Sequence, residues 1–377
     1  MTQTLALLLD AYRELNAKKM FWITLILSAL VMLGIAAAGI HETGFSVLWF
    51  KFDLWDMGDM GAESMDEIRA AFYKEIFRYV GVTIWLTWAA IILAIVSTAS
   101  MFPDLMSSGS IDTLLSKPIS RLRLFLTKYL LGLGFVALQV LVFCIAGFFV
   151  IGFRAGDWEP RIFLAVPIVL MFFSYLYAIS TLVGVYTRST LAAIVATVIV
   201  WFGLFAINAA DGEILEAQAE NQVMLDRYRL GLEYAQTLDA EPPEEGGRSE
   251  REQFLQMWGG DIDGEIDALE RSVTTWENWR RRMMWVKTPL PKTGETRSLL
   301  RRALVPTEDL ELPEYDPADG PDQAGFMGIQ TSEQATPIMM MRIQRDQRPA
   351  WWIVVTSLLF EFVVVGLAAW KFCRRDF

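Results

Sequence analysis

"YVGVTIWLTWAAIILAIVSTASMF" fills residues 79–102 and contains no charged residue. The hydrocarbon core of a bilayer is about 30 Å thick, so a helix needs roughly 20 apolar residues to cross it. This stretch is long enough. Four more charge-free runs meet the same test, at 21–40, 129–153, 162–187 and 189–210. A sixth run, 350–370, carries one charge inside it, Glu361. The whole chain has 377 residues, 54% of them hydrophobic and 13% aromatic, with a mean hydropathy of +0.34. That is too apolar for an ordinary soluble domain. The expected fold is an all-α integral membrane protein with six transmembrane helices.

The segments between the runs add to this outline. Residues 2–20 place Leu5, Leu8, Leu9, Tyr12 and Leu15 at spacings of three and four, with Asp10, Arg13, Glu14 and Lys18 toward the other side. This predicts an amphipathic N-terminal helix lying on the membrane surface; a helix packed on a partner is the alternative. The first apolar run is too long for the core of a cleavable signal peptide. The loop 41–78 is acidic and aromatic, and "ESMDEIRAAFYKEIFRY" within it predicts a short interfacial helix feeding the second span. Residues 211–349 form a long insertion between spans five and six. "DGEILEAQAENQVMLDRYRLGLEYAQTL" and "DGEIDALERSVTTWENWRRRMMWV" are opposed amphipathic stretches suited to a helical hairpin. The stretch 305–325 is acidic, rich in proline and expected to be irregular. The domains are therefore 1–20, the interfacial helix; 21–210, spans one to five; 211–349, a largely helical insertion; and 350–377, span six with its tail.

Lys and Arg in short loops set the orientation. With the N-terminus in the cytoplasm, the cytoplasmic pieces (1–20, 103–128, Arg188 and 371–377) carry 11 Lys and Arg. The short outer pieces, 41–78 and 154–161, carry 6. Both termini are then cytoplasmic and 211–349 is extracytoplasmic. That insertion holds 28 acidic and 16 basic residues, a balance of −12 against −11 for the whole chain. Such a charge argues against binding nucleic acid.

Several chemistries find no footing. The chain has no GxxxxGK[ST] phosphate loop, no HExxH, no CxxC and no GxSxG. Its one histidine, His41, ends the first apolar run and reads as an interfacial residue. Cys144 lies within the third run and Cys373 just past the sixth, so no disulfide framework is implied. Glu361 stands apart, because a mid-span carboxylate is costly and tends to face the bundle interior or a water-filled path. It is a candidate for a substrate route or a helix–helix contact, or else a carboxyl hydrogen-bonded to a neighbouring helix. Pro167 is expected to kink the fourth span or free a backbone carbonyl.

The remaining signal is "MFPDLMSSGSIDTLLSKPISRLRLFLTKYLLG", residues 101–132. Pro103 and the "SSGS" stretch interrupt the preceding helix. Ser110 or Asp112 can cap a short helix over "IDTLLS", and Pro118 ends it. Ser120 caps the third span, with Arg121, Arg123 and Lys128 on the cytoplasmic rim. The residues alone fit a docking helix and a plain polar loop equally well.

An acidic residue, a glycine, a short helix, then "LLSKPISR" and "KYL" resemble the permease subunits of the type 2 ABC exporter family. The six-span layout, the amphipathic start and the charged "FCRRDF" ending are similar to that family too. "VKTPLPKTGETRSLL", 286–300, is like a proline-containing stretch that some members carry before the last span. The resemblance covers 1–210 and 350–377, is most specific at 109–129 and is weak over 211–349. The family often has Glu where this chain has Asp104. The resemblance implies an exporter permease of the plasma (inner) membrane, not itself an enzyme. It would pair with a second permease copy or homologue and with a separate P-loop ATPase that binds the ATP, so this chain would hold no cofactor. Residues 103–121 would be the coupling segment, with Asp104, Gly109, Asp112, Leu114, Leu115, Lys117, Pro118 and Arg121 as its working residues. Leu114 and Leu115 would be its apolar anchors, and Lys117 and Arg121 would meet acidic residues or lipid phosphates. A rival of a different class is a membrane-anchored extracytoplasmic binding or signalling protein, with 211–349 as its working part. A polytopic enzyme ranks below both, for lack of candidate catalytic residues.

Overall fold

A computed structural model describes residues 19–41, 44–53, 62–106, 120–239, 247–304 and 349–375. The predicted N-terminal helix and residues 107–119 of the coupling segment lie outside these. Six helices are long and apolar enough to cross a membrane: Lys19–Ala37, Ile68–Leu105, Arg121–Ala155, Pro160–Thr187, Thr190–Thr237 and Ala350–Cys373. Each overlaps one of the six apolar runs, and the fifth continues well past the end of its run.

In chain order the first span is α1, Lys19–Ala37. Three strands follow: β1, Ala38–His41; β2, Gly44–Val47; and β3, Phe50–Asp53. They form an antiparallel sheet in the order β1-β2-β3. This sheet was not expected. The helix stops at Ala37, and the last residues of the apolar run pair with 45–47 instead. Phe45 lies directly across from Phe52, and their rings stack at 4.9 Å. Cross-strand aromatic pairs of this kind stabilise a sheet by about 0.2–1 kcal/mol. At Gly44, φ is +157°, and a Cβ would fall 1.9 Å from the Phe52 carbonyl oxygen, so only glycine fits. His41 meets Asp53 across the sheet, Nε2 to Oδ1 at 3.3 Å.

The helix expected before the second span is α2, Ala62–Ile76, and it runs without a break into that span. That span begins as a π-helical stretch, Phe77–Ala90, and tightens into α3, Ile91–Thr98. Two threonines bear out the wider turn. Thr83 Oγ1 donates to Arg78 O at 3.1 Å and Thr87 Oγ1 to Val82 O at 2.9 Å, each five residues back. In an α-helix the same hydroxyl reaches four residues back, as Thr98 does to Ala94 O. A turn at Ala99–Ser100 separates α3 from the short helix α4, Met101–Leu105, which holds Pro103.

The third span is α5, Arg121–Ala155. Ser120 caps it as its sequence predicts, accepting from the Arg123 backbone N–H at 3.3 Å. A 3₁₀ turn, Pro160–Leu164, leads into α6, Ala165–Thr187. Pro167 therefore falls in the first turn of α6. Its missing N–H is little loss there, because first-turn donors have no partner within the helix. The remaining helices are α7, Thr190–Thr237; α8, Glu250–Met257; α9, Ile262–Lys287; α10, Thr293–Leu304; and α11, Ala350–Cys373.

The chain divides into two compact units. The first comprises Met1–Gly203, Pro291–Val305 and Val354–Phe377. Its spans are tied by close packing and by a few polar contacts, as expected where lipid supplies no hydrophobic drive between helices. Trp85 Nε1 donates to Ser28 Oγ at 2.9 Å, linking spans one and two. A Cβ on Gly147 would come within 2.3 Å of the Phe77 ring, so glycine lets spans two and three approach closely. Near the end of the third span, Arg154 donates to Tyr73 Oη at 2.9 Å and to Ala38 O at 3.1 Å, and Tyr73 donates to Ala38 O at 2.5 Å. Helix α10 packs on α6 in this unit, burying Thr293, Glu295, Thr296 and Ser298 together with Lys292.

The second unit comprises Leu204–Leu290 and Pro306–Ile353. Helices α7 and α9 form the expected antiparallel hairpin. Asp211 pairs with Lys287, Gln218 with Arg280 and Arg229 with Glu270. Seven residues along α7 are matched by seven back along α9, and the next eleven by ten. Trp258, Phe254, Ala235 and Ile262 make a buried core for this unit.

Candidate functional site

Glu361 sits midway along α11, where the chain resumes its apolar pattern after the insertion. Two helices supply its partners. Tyr129 of α5 donates its hydroxyl to Oε1 at 2.9 Å. Ser174 of α6 lies 2.6 Å from Oε2. The carboxyl thus joins spans three, four and six, the helix–helix contact that its sequence position allows. Ser174 Oγ is also 2.8 Å from Met171 O.

Around this centre the packing is aromatic. Tyr129 stacks on Tyr177 with ring centroids 4.9 Å apart and planes within 11°. Tyr177 in turn stacks on Phe173 at 5.3 Å and places its hydroxyl 3.3 Å from Met101 Sδ. A Cβ at Gly132 would stand 2.5 Å from the Tyr177 hydroxyl oxygen, so a glycine on α5 makes room for the pair. Toward the other end of α5, Phe125 meets Phe102 at 4.9 Å and Phe372 at 5.7 Å. A continuous column of rings therefore runs along α5 from Phe372 at the end of α11 to Tyr177 beside Glu361.

One turn before Glu361 on the same face of α11 is Ser357. Its hydroxyl accepts from the Lys292 backbone N–H at 3.0 Å. The polar side chains preceding and beginning α10 are thus buried against spans four and six, one turn from the carboxyl. Among the described residues no group of three or more His, Cys, Asp or Glu could hold a metal ion.

A second constellation closes the other end of the spans. The Arg121 guanidinium at the start of α5 donates to the carbonyls of Cys373 at 3.2 Å and Arg375 at 2.7 Å. Arg375 donates to the Val185 carbonyl near the end of α6. The tail of span six is thereby clasped to the starts and ends of spans three and four. Of the residues picked from the sequence, Asp104 is exposed at the end of α4 and Arg121 is in this clasp. Gly109, Asp112, Leu114, Leu115, Lys117 and Pro118 lie outside the described residues. The sequence reading missed Tyr129, Ser174 and Tyr177. Their hydroxyls inside apolar runs were the available signal, since a buried hydroxyl requires a partner.

Six helices long and apolar enough to cross a membrane, three of them joined at mid-span by one carboxyl, define a polytopic membrane protein. The family model for the ABC-2 family transporter protein matches residues 12–377, and the chain belongs to that family. It is an integral membrane protein and a permease component of an ABC transporter. No curated protein and no solved structure matches the chain.

Proposed function

We propose that this chain is the transmembrane subunit of an ATP-driven exporter of the plasma (inner) membrane, coupled to ATP hydrolysis in a separate P-loop ATPase. Both termini and residues 103–121 face the cytoplasm, and 211–349 lies outside. A second permease copy or homologue completes the pathway. Asp104, Gly109, Asp112, Leu114, Leu115, Lys117, Pro118 and Arg121 belong to the ATPase contact. Leu114 and Leu115 enter a cleft on the ATPase, and Lys117 is held by acidic residues there.

The observation that carries this reading is the Arg121 clasp. The coupling segment joins α4 to α5, and α5 begins at the residue that holds the tail of α11 and, through Arg375, the end of α6. Movement of the segment would be felt by three spans at once. The ring column from Phe372 and Phe125 to Tyr129 and Tyr177 offers a stiff path to Glu361, because packed interiors shift between discrete arrangements rather than deform continuously. ATP binding closes the ATPases, draws the coupling segments together and biases the spans toward the outward-open state.

Purification from native membranes tests this directly. A P-loop ATPase is expected to co-purify with the intact chain and to be lost from the Leu114→Asp, Leu115→Asp double variant. Retention of the ATPase by that variant would show that the docking residues are misassigned. Absence of any ATPase from the intact complex would favour a membrane-anchored binding protein.

A further inference from the structure

The last two turns of α9 are divided into two faces. Arg280 and Lys287 reach α7, where Arg280 donates to Gln218 Oε1 at 3.1 Å and Lys287 pairs with Asp211 at 2.6 Å. At about 100° per residue, Trp279, Arg282, Trp285 and Val286 share an arc of about 120° on the opposite face. Trp285 is 80% exposed, Val286 54% and Trp279 51%. Arg282 lies over the Trp279 ring at 5.3 Å from its centroid. Exposed aromatic and apolar side chains grouped on one helix face, with arginine among them, mark an interaction surface.

The hairpin register sets the level of this face. Asp211 directly follows the fifth apolar run, which ends at Ala210, and the last apolar turns of that run, 204–210, belong to the same unit as α9. Carrying the register forward puts Trp285 level with Glu213 and Arg282 level with Glu216. At 1.5 Å per residue these lie about 5 and 9 Å beyond the apolar run. The headgroup layer on each side of a bilayer is about 5–8 Å thick. Trp285 and Val286 thus stand within that layer, and Arg282 at its outer edge, within reach of phosphate. Glu213 and Glu216 are on the far helix, while the arc faces away from it.

Charge selects the partner. The insertion is strongly acidic, but from Asn278 to Gly294 it has no acidic residue, and on or beside this face it carries the exposed Arg281 and Arg282. Basic residues near a bilayer surface are drawn to anionic lipid by about 1 kcal/mol each, and tryptophan favours the interface. We infer that the 279–286 face of α9 is a docking surface for anionic phospholipid headgroups, which seats the second unit on the leaflet at that end of span five.

The test uses the full chain with Cys144→Ala and Cys373→Ala, reconstituted in nanodiscs of phosphatidylcholine with or without phosphatidylglycerol. A spin label is placed at Val286→Cys and, as a control far along the hairpin, at Asp267→Cys. Collision with oxygen relative to a water-soluble nickel complex reports depth. The label at 286 is expected to favour oxygen severalfold over the label at 267, and more so when phosphatidylglycerol is present. Arg281→Gln with Arg282→Gln is expected to remove the phosphatidylglycerol effect while leaving the label at 267 unchanged. Equal readings at 286 and 267 would overturn the proposal. So would shielding of 286 from both reagents, which would identify the face as a protein contact with a second copy. A depth indifferent to phosphatidylglycerol would overturn the headgroup assignment. None of these outcomes depends on the ATPase.

Discussion

Glu361 illustrates how a single residue constrains its surroundings. Its two oxygens take contacts from Tyr129 and Ser174, residues 232 and 187 positions away in the chain. Replacing it by alanine leaves the buried Tyr129 hydroxyl with only the Ser174 carbonyl, 3.4 Å away, as an acceptor. Losing a buried hydrogen bond costs about 1–3 kcal/mol, and polar contacts between membrane helices usually fall at or below the lower end of that range. Glu361→Ala is therefore expected to destabilise the protein by about 1 kcal/mol, read as a lower melting temperature in detergent. Glu361→Gln keeps an oxygen for Tyr129 and should melt close to the parent. A glutamine variant as unstable as the alanine variant would show that the carboxyl does more than join three helices. The sequence announced that Glu361 was unusual, because a carboxylate within an apolar run stands out. It did not announce the partners, whose hydroxyls look alike wherever they fall in such a run.

At the scale of elements, the α7–α9 hairpin is the clearest case of sequence pattern becoming structure. Two opposed amphipathic stretches predicted it, and three polar pairs set its register. The Asp211–Lys287 pair is the most buried of them, with side chains 3% and 6% exposed. Stranding one charge of a buried pair costs about 3–5 kcal/mol, whereas replacing both with apolar side chains is often neutral. Lys287→Ala should thus raise deuterium uptake across 211–237 and 262–287. Lys287→Met combined with Asp211→Leu should return uptake toward the parent level. Equal uptake in the single and double variants would mean the pair contributes little to the hairpin. The β1–β3 sheet shows the opposite case. Short aromatic stretches beside a membrane helix carry little periodicity, and only the close Gly44–Phe52 backbone approach and the Phe45–Phe52 pairing make the strands visible.

At the scale of the whole molecule, topology is the property most open to test. Cysteines introduced at Ala240 and Gly320 should react with a membrane-impermeant maleimide applied to intact cells. One introduced at Asp112 should react only after permeabilisation. Labelling at 112 in intact cells would reverse the proposed orientation and remove the coupling segment from the cytoplasm. The six spans, the Ser120 cap and the α7–α9 hairpin were legible in the linear chain, because hydrophobic run length and periodicity are local properties that bilayer thickness and helix geometry convert directly into structure. Three features were decided only in three dimensions. The Arg121 guanidinium finds the carbonyls of Cys373 and Arg375, α10 buries its polar face against α6, and Tyr129 and Ser174 converge on Glu361. Each depends on which helices become neighbours, and inside a membrane that choice rests on close packing and polar pairing rather than on the hydrophobic pattern that all six spans share.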